Sequence, residues 1–434
     1  MNWFRFSICT IPLILSACST IDQQGTIAEL RNRQIDITDE QLEGGLEKAM
    51  MSYQRFLVET PDSALSAEAI RRLADLKVEK EYGLLTSSHG SNENDSSVAL
   101  QGHETAMIRD IAPTLMPDSS PQRSESNADF AERATVSKGV VAQDRDGVKQ
   151  EKGLLDLERA GPLEAIALYQ KLLDEYPLYD RNDQVLYQMS RAYEELGQVD
   201  EAMLVMNRLV RDYPKSRFID EVQFRRAEYY FTRRQYLDAE EAYLEIVSIG
   251  KKSFYYPFAL YKLGWTFYKQ ELYEDALDNF IALFDYKVAV GYDFYQAEDE
   301  LERQRIDDTF RVISLSFSSL GGAEIIEAYF SQHGARSYED LVYSNLGEYY
   351  FDKRRYNDAN ATYTAFVARN PSHFKAPNFQ MRIIEINIAG GFPSLVLESK
   401  KVFATSYGLQ ADYWDRFDPN ERLEVITDLK TNLT

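Results

Sequence analysis

The sequence predicts an all-α fold, a solenoid of stacked helix pairs, on three observations. An alanine followed four residues later by a large apolar residue recurs at Ala165/Tyr169, Ala202/Met206, Ala239/Tyr243, Ala276/Phe280 and Ala359/Tyr363. The first three steps are 37 residues each, and a period of that size marks helix-pair repeats that bury their faces by stacking. Pro177, Pro214 and Pro371 follow the second helix of their units, where proline ends a helix because it lacks the amide donor and disfavours helix for its predecessor. The chain is also rich in aromatics, with 29 Tyr and 23 Phe, which such a stack can pack.

The elements follow in chain order. Residues 1–17 predict a signal peptide: a short n-region with Arg5, an apolar run over 6–15, and the small pair Ser16-Ala17 before Cys18. The run is too short for a membrane span, which takes roughly 20 residues. Leu15-Ser16-Ala17-Cys18 resembles a bacterial lipobox, which implies cleavage before Cys18 and acylation of its sulfur and amino group. Several acyl chains give stable anchoring where one gives marginal binding. Ser19 in place of an aspartate implies, by the same resemblance, the periplasmic face of the outer membrane. Residues 18–41 read as a linker. In 42–83, Ala49, Tyr53, Phe56 and Pro61 reproduce a second helix, with a further helix from Ser66.

Residues 84–145 are rich in Ser, Asn, Asp and Gln and predict a disordered insertion, since such a stretch buries too little surface to offset ordering entropy. Residues 146–377 carry the repeat array. Within it, 297–332 predict a degenerate unit with Gly321-Gly322 as its turn, and the 47-residue step from Ala276 to Ala323 places an insertion near 287–295. Residues 378–434 predict C-terminal helices, the last opening at Asp418-Pro419-Asn420 with a cap and a proline at the first turn. No polar capping repeat closes it, so the chain reads as a shortened version of a longer protein.

The pattern within each unit resembles the tetratricopeptide repeat. Leu260, Leu263, Gly264 and Phe267 lead to Ala276, Phe280 and Leu283; Tyr343, Leu346, Gly347 and Tyr350 lead to Ala359, Tyr363, Phe366 and Pro371. Small residues such as Gly264 and Gly347 in the first helix (A) allow the second (B) to approach, and Gly197 suits the turn between them. The resemblance implies a right-handed superhelix. The Tyr213-Pro214-Lys215-Ser216 link is similar to that of periplasmic tetratricopeptide lipoproteins of the BamD and CpoB types.

Net charge is −22, or −23 once the signal and its Arg5 are removed. An acidic surface of that strength repels phosphate backbones, so no nucleic-acid partner is expected. Cys9 leaves with the signal and Cys18 carries lipid, so no thiol remains for a disulfide, a metal or catalysis. His89, His103, His333 and His373 are scattered, and neither a phosphate loop nor a nucleophile elbow is present. Asp299, Glu300, Asp307 and Asp308 read as a solvated helix face. Arg233-Arg234 and Lys353-Arg354-Arg355 read as cations at helix C-termini. No enzyme, metal, cofactor or small-molecule substrate is expected.

In tetratricopeptide arrays the A helices line a groove. Counting back from each alanine places Tyr187, Arg191 and Glu194 there, then Phe224, Glu228 and Phe231, then Tyr261, Trp265 and Tyr268, then Ser344, Glu348 and Phe351. Aromatics on an exposed groove face suit capture of a peptide or helix. The expected partner is an envelope protein or peptide segment, the membrane being met through the lipid alone. On this reading Trp265 is exposed and Trp265→Ala leaves stability nearly unchanged. A membrane-to-wall tether and an accessory factor of a peptidoglycan-active enzyme are the alternatives; a further one is that a neighbouring helix or the long insertion covers these aromatics.

Overall fold

The structure is a computed structural model that describes residues 45–87, 125–135, 160–296, 299–408 and 411–416. Cys18, the signal, the 18–41 linker and the helix expected from Asp418 lie outside the described residues. The chain divides at Ala49 into Met1–Ala49 and Met50–Thr434; the repeats belong to the second unit.

The described residues are all-α. The helices are α1 (Gly45–Glu59), α2 (Ser66–Ser87), α3 (Asn127–Arg133), α4 (Ala160–Glu175), α5 (Asn182–Glu195), α6 (Val199–Asp212), α7 (Ile219–Thr232), α8 (Tyr236–Ile249), α9 (Tyr256–Lys269) and α10 (Tyr273–Ala289). They continue with α11 (Glu300–Leu320), α12 (Ala323–His333), α13 (Glu339–Asp352), α14 (Tyr356–Arg369), α15 (Ala376–Ala389) and α16 (Pro393–Ser406). From α5 onward each A helix packs against the B helix that follows it, and the pairs stack chiefly through a B helix meeting the next A helix, with α11 itself meeting α13 at the degenerate unit; this is the helix-pair stack the 37-residue period predicts.

The repeated residues do in space what their spacing predicts. Ala165, Ala202, Ala239, Ala276 and Ala359 are fully buried. A Cβ on Gly264 would come 2.7 Å from the Phe280 ring, and one on Gly347 would come 2.4 Å from the Tyr363 ring. These glycines are therefore contact points between A and B helices. The A-to-B turn recurs in five units, where Gly197, Arg234, Glu271, Arg354 and Gly391 all have φ between 58° and 71°, whereas the α11–α12 turn runs through Gly321 and Gly322 at 131° and 77°. The amide after each of the five donates back to the A helix, as Gln198 N–H does to Tyr193 O at 2.9 Å and Arg355 N–H to Tyr350 O at 2.8 Å. This closes the orphan carbonyls of the helix end. Only Gly197 and Gly391 are glycines in that series, so Arg234, Glu271 and Arg354 hold a left-handed backbone that L residues resist.

The link from B to the next A also repeats. Ser216 Oγ donates to Asp183 at 2.7 Å, and Ser253 Oγ donates to Asp220 at 2.8 Å. Each serine thus ties the entry of one A helix to the start of the previous one.

Two expectations are corrected. The first helix pair of the array is α2 with α4, so the helix from Ser66 is the A partner of the Ala165/Tyr169 helix, and the long insertion sits inside their turn. Tyr169 O–H donates to Asp75 at 2.7 Å across this pair, at the register where Tyr243 meets Glu228 and Tyr363 meets Glu348. Secondly, disorder does not hold throughout 84–145. Residues 125–135 include the helix α3, and α2 continues to Ser87; the rest of the insertion lies outside the described residues.

At the other end, Tyr407, Tyr413 and Trp414 close over Ala376. Trp414 Nε1 donates to Gly408 O at 2.9 Å and Tyr413 O–H to His373 O at 2.9 Å.

Candidate functional site: the cleft along the A helices

The A helices are joined by a recurring polar unit. Glu228 on α7 is fully buried, accepts from the Tyr243 hydroxyl of α8, and accepts from Lys262 Nζ of α9 at 3.0 Å. Glu348 on α13 repeats it, accepting from Tyr363 O–H at 2.6 Å and from the Arg382 guanidinium at 2.6 and 2.8 Å. Glu194 pairs with Arg225 of the next A helix, with Nε at 3.0 Å. Burying Glu228 would be costly were it not paired and hydrogen-bonded; Glu194 and Glu348 are partly exposed but likewise meet a cation from the following repeat. These glutamates therefore set the register of neighbouring repeats.

Six of the expected groove residues are buried: Tyr187, Phe224, Glu228, Phe231, Tyr261 and Trp265. The expectation that they line an open face is corrected on that ground. Arg191, Glu194, Tyr268, Ser344, Glu348 and Phe351 are partly exposed. The physical reason differs along the array. Tyr187 stacks on Phe218 at 4.1 Å and donates to Glu221 at 2.9 Å; burial and the Glu221 charge push its phenol up to about 12. Phe224 stacks on Tyr255 at 5.1 Å, and Phe231 packs on Tyr236. Phe351 lies under the Arg382 guanidinium at 4.3 Å, and Ser344 Oγ donates to its own helix at Leu341 O.

Tyr261 and Trp265 are covered by the insertion itself. The Phe130 ring of α3 is fully buried, with its centroid 5.5 Å from that of Trp265 and the Arg311 guanidinium 4.0 Å from its own. Arg133 places two nitrogens 2.9 Å from the two Asp308 oxygens and a third 2.8 Å from Glu125. Arg311 donates to the Glu125 carboxylate at 2.8 Å. Burial alone would raise Glu125, but the Arg133 and Arg311 guanidiniums hold it below its ordinary value. The C-terminal end of the segment is held by its backbone: Tyr261 O–H donates to Ala134 O and Lys262 Nζ to Thr135 O, both at 3.0 Å. Burial pushes the Tyr261 phenol up, so the donor persists at any ordinary pH.

Local sequence explains why this piece of the insertion can be helical. Ser126 Oγ accepts from Asp129 N–H at 3.1 Å and caps the first turn. A helix of seven residues is nevertheless marginal alone, because nucleation costs more than a turn returns. Burying the Phe130 ring contributes about 2–3 kcal/mol, while ordering each residue costs about 1–2 kcal/mol. The ring alone does not offset that cost, so the helix depends on the ion pairs and backbone contacts of the cleft as well.

Asp308 is only 2% exposed, which corrects the reading of its helix as a solvated face; Asp307 beside it does face solvent. The basic clusters meet local partners, with Arg233 on Asp200 at 2.9 Å and Arg355 on Asp358 at 2.7 Å. Among the described residues no group of three or more His, Cys, Asp or Glu could hold a metal, and no helix is long and apolar enough to cross a membrane.

The family model for the tetratricopeptide repeat matches residues 162–219. No curated protein matches the chain. Several solved structures are similar to it at low identity. A tetratricopeptide repeat protein from Parabacteroides merdae is 13% identical, with 64% of this chain and 95% of that one covered and a TM-score of 0.29. Pseudomonas aeruginosa pilF is 14% identical over 57% and 98% of the two chains, with a TM-score of 0.25. Yeast Tom70 is 11% identical over 90% and 85%, with a TM-score of 0.22.

Proposed function

We propose that this chain, which carries tetratricopeptide repeats, is a lipid-anchored scaffold of the cell envelope that holds a segment of another envelope protein in the cleft along its A helices. The observation that carries the binding role is the seat of α3. A short helix lies on α9 and α11 through one buried ring, ion pairs to Asp308 and Arg311 and two backbone acceptors, the contacts by which a groove takes a helical peptide. Anchoring rests on the lipobox at Leu15-Ser16-Ala17-Cys18, and the address on the outer membrane's periplasmic face rests on Ser19.

Two measurements test this reading. Metabolic labelling with a fatty-acid probe should mark the wild type and not Cys18→Ala; equal labelling would remove the anchor. Affinity capture from detergent-solubilised envelope should recover more of a specific protein with Phe130→Ala than with the wild type, and that protein should be lost when Asp308→Asn, which keeps the side chain's size, is added. An unchanged set of captured proteins would favour a passive tether instead.

A further inference from the structure

Within that reading, the structure also says what the cleft takes. We propose that Asn127–Arg133 is the chain's own tethered ligand, and that the partner segment it excludes presents the same chemistry: a short helix with an aromatic ring, a guanidinium three residues after it and a carboxylate five residues before it. The inference deepens the scaffold reading and rests on it.

The cleft supplies a complement to each part of that pattern. The ring enters between Trp265 and the Arg311 guanidinium. The guanidinium meets Asp308, whose carboxylate is buried on α11 and grips both of its terminal nitrogens. The carboxylate of Glu125 meets Arg311. A buried acid and a facing base in fixed positions discriminate by charge as well as shape, because a ligand with the order reversed would leave both unpaired. The two backbone acceptors, Ala134 O and Thr135 O, need no particular side chain, so they hold any helix that ends there.

The seated segment is not a perfect fit. Trp265 Nε1 is buried and donates no hydrogen bond to α3, although α3 lies against the ring; its polar neighbour is the Tyr261 phenol of its own helix. A partner that offers an oxygen there gains an interaction that α3 lacks. What α3 has in its favour is attachment: residues 88–124 and 136–159 join it to the array on both sides, which raises its effective concentration at the cleft. A free partner therefore has to bind more tightly than α3 itself does, and weakening α3 opens the cleft.

The test uses the full mature chain and a fluorescent synthetic peptide of residues 123–137, with binding read by anisotropy. The Phe130→Ala chain should bind the peptide at least ten-fold more tightly than the wild type, whose cleft is filled. Arg133→Glu should do the same while leaving the ring in place, which guards against a folding defect in the first variant. A peptide carrying Phe130→Ala should not bind, and adding Asp308→Asn to the Phe130→Ala chain should weaken binding at least five-fold. Variants that bind no better than wild type, or that bind the ring-less peptide equally, would overturn the proposal. So would a wild type that doubles in mass with concentration through exchange of α3 between copies. Peptide binding with no protein lost from envelope capture would keep α3 as the cleft's own ligand but reject the scaffold reading and with it the partner segment; a lost partner with no peptide binding would overturn this proposal and leave the scaffold reading standing.

Discussion

The Phe130 ring of the insertion packs at 60° to the Trp265 indole of the array, 5.5 Å between centroids, and both side chains are fully buried. The two residues play unequal parts in that contact. Trp265 also meets Tyr261, Tyr268 and Phe280 at 5.4 to 6.3 Å, so it belongs to the repeat core, whereas Phe130 reaches that core only by way of α3.

Trp265→Ala should accordingly destabilise the array by about 3–5 kcal/mol, the range for truncating a large core aromatic. Phe130→Ala should leave the main thermal transition within a few degrees of wild type, because the helix pairs do not depend on α3. Equal losses in the two variants, measured by thermal denaturation, would contradict this division.

Gly347→Ala tests the close contact of A and B helices. Its added methyl would fall 2.4 Å from Tyr363, and relieving such a clash costs about 1–3 kcal/mol in a packed core. Urea denaturation should show a lower midpoint with an unchanged slope. A midpoint equal to wild type would mean that α13 and α14 can part at no cost.

Glu271 occupies the turn position that Gly197 and Gly391 fill elsewhere, with φ at 62°. Glu271→Gly should stabilise the chain by up to about 1 kcal/mol, since relief of the left-handed strain exceeds the entropy added to the unfolded chain. A lower melting temperature in that variant would show that the Glu271 side chain matters more than its backbone.

The seat of α3 should be sensitive to acid. Glu125 is held below its ordinary value when seated, so its contribution is complete above the usual carboxylate range and is lost as pH falls through the lower seated value. Protease sensitivity of 125–135 should rise as pH drops below about 4, while far-UV circular dichroism changes little. Protection that increases on acidification would contradict the ionic part of the seat.

The repeat is legible in the sequence because its cause is local and periodic. Ala202, Ala239 and Ala276 recur at the step of one helix pair, and Gly264 and Gly347 mark where two helices touch. The split first pair is not legible in that way, because the insertion separates Asp75 from Tyr169 by 94 residues. Nor is α3: one large ring in seven residues carries no period, and the polar composition around it dominates any window. Its stability comes from Asp308, 175 residues beyond Arg133, and no local pattern reports such a contact. The exposed stripe expected at Tyr261 and Trp265 fails for the same reason, since the residues that cover it lie in the stretch that composition reads as unable to pack.

Hydrogen exchange of the amides of 125–135 in the full chain tests most directly whether the cleft holds this segment. The wild type should protect the amides of α3, and Asp308→Asn should release them while α5 and α6 exchange as before. Amides of 125–135 that exchange at the unprotected rate in the wild type would contradict the account.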